Sequence, residues 1–168
     1  QVGASVTVVR HVHAQEMLKK NWDLLVLSPG PGRPEDFGIS KTIGAALERK
    51  LPIFGVCLGV QAIGEYFGGQ LGQLTHPAHG RPSRVQVRGG RLMQNLPNEI
   101  VIGRYHSLFV ERDSVPEVLT VTATTDDGAG GATGALVRMR QSLDNVGRSS
   151  CRGTTMSTMP CSWRYSAR

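Results

Sequence analysis

Pro52-Ile53-Phe54-Gly55-Val56-Cys57-Leu58-Gly59-Val60-Gln61-Ala62-Ile63-Gly64 joins a short apolar run to a segment with helical spacing, and a glycine-flanked cysteine stands at the junction. The apolar run has the length of a buried strand. A strand that turns sharply into a helix lifts the residue at the bend above the sheet edge, the layout of a nucleophile elbow. Gly55 and Gly59 give that bend its room, because a β-carbon at either would meet neighbouring backbone. A thiol on the first helical turn also feels the positive end of the helix dipole, which favours the thiolate. The same residues permit a second reading, in which Cys57 is a small buried side chain packed behind a helix.

Upstream, Asp23-Leu24-Leu25-Val26-Leu27 reads as another buried strand, and it runs into Ser28-Pro29-Gly30-Pro31-Gly32-Arg33-Pro34. Proline fixes φ at Pro29, Pro31 and Pro34, while Gly30 and Gly32 stay free to take positive φ. The result is a stiff loop with exposed backbone at a strand's carboxyl end, where open α/β sheets bind ligands. Taken alone, it reads first as a plain turn.

Together these stretches resemble the class I glutamine amidotransferases, and within them the glutaminase part of anthranilate synthase. The resemblance rests on Ser28-Pro29-Gly30-Pro31-Gly32, on Gly55-Val56-Cys57-Leu58-Gly59-Val60-Gln61, on His79-Gly80 with Ser83, and on Tyr105-His106-Ser107-Leu108. Four motifs in the family's order carry far more weight than any one of them. They cover about residues 1–128. The last two point to the anthranilate and aminodeoxychorismate branch.

The resemblance implies a reaction and a set of roles. Cys57 is the nucleophile on the side-chain amide of L-glutamine, forming a γ-glutamyl thioester and releasing ammonia. Backbone N–H groups of Gly32 and Leu58 form the oxyanion hole. Gly30, Pro31, Gly32, Gln61, Ser107 and Leu108 contact the substrate, the last two largely through backbone. Gln61 stands one helical turn beyond Cys57, so both can face one cleft; without the resemblance it reads as a solvated helix residue. Tyr105-His106 also reads as an aromatic pair in the core, and His106 is not assigned as the base. The ammonia passes to a chorismate-using synthase, a separate subunit or a fused domain, on the way to tryptophan. The glutaminase itself needs no metal or cofactor, and Mg²⁺ belongs to the synthase partner. His79 to Ser83 lies near the synthase interface, or is an ordinary polar loop.

The chain departs from this pattern in two places. The family's base and its orienting acid come from a His-Pro-Glu motif near the C-terminus. The histidines here are His11, His13, His76, His79 and His106, and none is followed by Pro-Glu. The expectation is little or no glutaminase activity, and a non-catalytic pseudo-glutaminase that binds a partner is an alternative. The family also has a strand and a helix before the segment that opens here at Gln1, so the chain reads as a fragment without its opening βα unit.

Composition fits one α/β domain at residues 1–128. The 168 residues carry a net charge of +6. Residues 1–128 hold 13 Lys+Arg against 12 Asp+Glu, whereas residues 129–168 hold six arginines against Asp144 alone. The basicity is therefore concentrated in a Gly-, Ser-, Thr- and Arg-rich tail with little apolar periodicity. That tail reads as a non-native, frame-shifted ending, as a divergent one, or as a disordered basic segment. Nucleic acid is not expected as a partner, since nearly all the basicity sits in that last quarter of the chain, and neither is a membrane, since no apolar run approaches the roughly 18 residues that span a bilayer. Cys57, Cys151 and Cys161 show no metal-ligand spacing and no disulfide framework, which suits a reduced cytoplasmic setting.

The remaining pattern alternates as a parallel sheet requires. Strands are expected at Ser5–Val9, Asp23–Leu27 and Pro52–Val56, and helices at His13–Asn21, Gly38–Lys50 and Val60–Phe67. Arg84–Arg88, Gly89-Gly90 and Arg91–Met93 read as a hairpin, followed by strands at Val101–Val110 and Leu119–Thr125 and a turn at Asp126-Asp127-Gly128. The expected architecture is a three-layer, flavodoxin-like α/β sandwich with a mainly parallel central sheet and an antiparallel extension.

Overall fold

A computed structural model describes residues 3–90, 92–125, 131–132 and 138–139. Helix α1 spans Ala14–Met17 after a 3-10 turn at His11–His13. Strand β1 (Leu25–Leu27) leads through a 3-10 turn at Pro34–Phe37 to α2 (Ile39–Glu48), and β2 (Ile53–Gly55) leads directly to α3 (Leu58–Tyr66). Strands β3 (Leu71–Val87) and β4 (Glu99–Glu111) follow, then β5 (Leu119–Thr120), β6 (Ala123–Thr125), β7 (Gly131–Ala132) and β8 (Arg138–Met139).

β1 and β2 pair in parallel, with Leu25 opposite Ile53 and Leu27 opposite Gly55. Side chains alternate along a strand. Leu27 therefore faces a core of Ile39, Ile43, Leu58, Ala62, Ile63 and Leu119, while Leu24 and Val26 point away and are exposed. A second cluster of Leu18, Ala46 and Leu51 ties α1 to α2. Helix α2 is held through Ile39, Ile43 and Ala46, spaced four and three residues apart on one buried face.

The antiparallel part is the larger one. Its sheet runs in the order β6-β3-β4-β7. Val85, Met93 and Ala123 form the small core beneath it. β3 slips against β4 between Gln73 and Ala78, and again between His79 and Arg81. At the first slip Gln73 pairs with Leu108 and Ala78 with His106, so Ser107 has no register partner on β3. Bulges of this kind re-aim a strand beside functional sites.

Several expectations are corrected. Ser5–Val9 forms no strand; Val6 and Val8 are 76% and 89% exposed, and no described strand pairs with them. Alternating valines favour extended backbone, but a strand exists only with a ladder partner. Gly89-Gly90 is not a hairpin turn. β3 runs unbroken from Leu71 to Val87 and pairs with Glu99–Glu111, so the connection spans residues 88–98. Gly89 and Gly90 take positive φ where the chain leaves β3, but the return strand starts at Glu99. Leu119–Thr125 is interrupted, with β5 pairing to β8 and β6 to β3. The expected helix at His13–Asn21 is present only over Ala14–Met17. The turn at Asp126-Asp127-Gly128 and most of residues 129–168 lie outside the described residues; β7 and β8 pair with β4 and β5.

Candidate active site

Cys57 caps α3 with φ 52° and ψ −106°, a left-handed backbone that a non-glycine residue adopts only under constraint. The constraint is close packing on both sides. A β-carbon at Gly55 would lie 2.5 Å from the Gly59 carbonyl carbon, and one at Gly59 would strike the Leu27 carbonyl oxygen. The elbow read from the glycine spacing is therefore present in the backbone.

The Pro-Gly loop lies against this elbow, since a β-carbon at Gly30 would lie 2.8 Å from Leu58 Cδ2. Gly32 has φ +74°, and Arg33 N–H donates to Asp36 Oδ2 at 2.7 Å. The Asp36 carboxylate so closes the loop's exit and holds its curvature. Pro31 and Gly32 are exposed beside the bend.

β4 supplies the opposite wall. Cys57 Sγ lies 3.7 Å from the Tyr105 carbonyl oxygen, to which the thiol donates. Gln61 is 7% exposed, and its Nε2 donates to the Leu108 carbonyl at 2.9 Å. The solvated-helix reading of Gln61 fails. His106 Nδ1 lies 2.9 Å from the same Leu108 oxygen, and Arg104 Nε donates to His106 Nε2 at 3.1 Å. Tyr105 is 68% exposed, so it is not a core aromatic. Cys57 and Gln61 are brought to the backbone of Tyr105 and Leu108, with Ser107 between these two in the chain, while His76 and His79 are exposed on β3.

Electrostatics correct one further expectation. Burial pushes the Cys57 thiol above its ordinary value, and the Leu58 backbone N–H pulls it down only in part. The first-turn amide therefore acts as anticipated but loses to desolvation. Sequence reading passed over Arg104. The available signal was its position two residues before His106 on one strand, which places both on the same face.

The family profile "Glutamine amidotransferase class-I" matches residues 1–138. The chain is 55% identical over 129 residues to an anthranilate synthase of Azospirillum brasilense, covering 76% of this chain and 18% of that protein. It is 45% identical over 113 residues to the anthranilate synthase component 2 of Cyanophora paradoxa, covering 67% of this chain and 60% of that protein. The chain thus spans less than two thirds of the length of these curated relatives. A solved structure from Thermoplasma acidophilum, provisionally assigned to GMP synthase, superposes with a TM-score of 0.65 at 23% identity over 81% of this chain and 66% of that one. That likeness supports the α/β sandwich expected from the sequence. By the family match and the elbow it encloses, this chain belongs to the class I glutamine amidotransferases.

Proposed function

We propose that the chain is the glutaminase part of an anthranilate synthase, carrying Cys57 as the nucleophile on the side-chain amide of L-glutamine. One observation carries the reading. A strained, glycine-cleared elbow presents Cys57 between the Pro-Gly loop and the Tyr105–Leu108 backbone. Attack of the sulfur on the amide carbon gives a tetrahedral oxyanion, which the N–H groups of Leu58 and Gly32 would meet. Collapse expels ammonia and leaves a thioester, and water then returns glutamate and the free thiol. Gly30 and Pro31 shape the loop side of the cleft. The Leu108 carbonyl already accepts from Gln61 and lies against His106 Nδ1. The substrate's amino-acid end would therefore be met by the Ser107 backbone, left without a register partner by the bulge, and by the Leu108 N–H.

The site needs no metal or cofactor of its own, and Mg²⁺ is expected in the chorismate-using partner. That partner, whether separate or fused, would take up the ammonia and form anthranilate, a lyase reaction. The names of the relatives favour this branch over aminodeoxychorismate synthase. A cytoplasmic setting fits a thiol nucleophile; among the described residues no helix is long and apolar enough to cross a membrane. The raised thiol beside the Tyr105 carbonyl favours a second reading, a binding module that holds glutamine and partner without turnover.

A chloroketone analogue of glutamine tests the site. Saturable capture at Cys57, blocked by free glutamine and lost in Cys57→Ala, is the expected result. Capture that is unsaturable, or indifferent to glutamine, would overturn the assignment. Co-precipitation with the large component of an anthranilate synthase, compared with its aminodeoxychorismate counterpart, separates the branches.

A further inference from the structure

Arg104 and His106 lie two residues apart on β4 and share a face. Arg104 is 4% exposed, an unusual burial for an arginine outside a network. Its Nε–H points at His106 Nε2, 3.1 Å away, and its Nη1 reaches Ser83 Oγ on β3 at 3.5 Å. A guanidinium offers donors only, so Nε2 must be the acceptor. In a neutral imidazole the proton then sits on Nδ1, which lies 2.9 Å from the Leu108 carbonyl and donates to it. That oxygen also accepts from Gln61, one turn beyond Cys57.

We propose that Arg104 and His106 are positioning residues for the glutamine site: Arg104 sets the Nδ1–H tautomer of His106, and His106 clamps the Leu108 carbonyl against Gln61. The inference rests on the glutamine-site reading and deepens it. The clamp is placed at the register slip of β3 against β4. Within Tyr105–Leu108 only Ser107 has no register partner on β3, so the ladder is interrupted between His106 and Leu108, the two residues the clamp joins. The Arg104 contact with Ser83 ties the same stretch to β3 beyond the slip. Neither residue touches the reacting atoms. Each acts through the carbonyl that meets Gln61, and so through the distance between Cys57 and the substrate's far end.

The test uses the full 168-residue chain and three variants, Arg104→Met, His106→Gln and His106→Asn. Nitrogen NMR of the wild-type imidazole is expected to show His106 protonated on Nδ1. With the chloroketone analogue, Arg104→Met and His106→Gln should raise the half-saturating concentration roughly tenfold, the scale of one net hydrogen bond. Their reaction with iodoacetamide, which needs only an accessible thiol, should be unchanged. His106→Asn places an amide donor where Nδ1 stood and should keep most of the wild-type affinity. A wild-type His106 protonated on Nε2 alone would overturn the proposal even if every variant fails to fold. So would folded Arg104→Met and His106→Gln that saturate like wild type, or His106→Asn as damaging as His106→Gln. Absence of saturable capture by the wild-type chain would sink the glutamine site and the clamp together.

Discussion

At Cys57 two opposing effects act on one sulfur. Partial burial between α3 and β4 disfavours the thiolate, and the Leu58 N–H favours it more weakly. The net shift is upward from an ordinary value of about 8.5. The rate of alkylation by iodoacetamide should therefore climb through neutral pH and keep climbing above the value of a free thiol. A rate already level by neutral pH would contradict the shift. An acid held neutral in the fold contributes stability below the unfolded thiol's value, and that contribution fades as pH rises through the folded one. The bend itself was legible from Gly55 and Gly59, because the need for space at a strand-to-helix turn is a local steric rule. The protonation state was not, since desolvation depends on what β4 brings over the cysteine.

Among the elements, the contact of α3 with β4 matters most to the site. Gly64 sits against Val110, and a β-carbon there would lie 2.7 Å from Val110 Cγ2. Val110 is 1% exposed and has nowhere to retreat. Gly64→Ala should cost about 1–3 kcal/mol of stability, the usual range for overpacking. It should also separate Gln61 from the Leu108 carbonyl and weaken capture of the glutamine analogue. Urea unfolding followed by labelling at Cys57 reads both effects. The helical periods at Ile39–Glu48 and Leu58–Tyr66 were visible in the sequence, each within a few residues of its observed bounds. The β3–β4 ladder was not. Gly89-Gly90 marks where the chain leaves β3, but the partner strand starts only at Glu99, after a longer connection than a two-glycine turn implies. Ser5–Val9 shows the converse, with strand-like residues and no described neighbour.

Across the whole molecule, catalysis needs a base as well as a nucleophile. His11, His13, His76 and His79 are exposed, and both ring nitrogens of His106 are engaged by Arg104 and Leu108. Glutamate release by this chain should therefore fall several orders of magnitude below that of an intact triad, while capture at Cys57 persists. Turnover at an ordinary glutaminase rate would show that another group serves as base. The sequence by itself determined the elbow, the Pro-Gly loop and the family, because each is written in neighbouring residues whose steric demands are local. Only the tertiary structure decided that Gln61 is buried on Leu108, that Tyr105 turns outward while its carbonyl meets Cys57, and that Arg104 braces His106. Gln61 and Leu108 are 47 residues apart in the chain, and Cys57 and Tyr105 are 48 apart. Contacts at that range follow from strand register and helix packing, which no local pattern encodes.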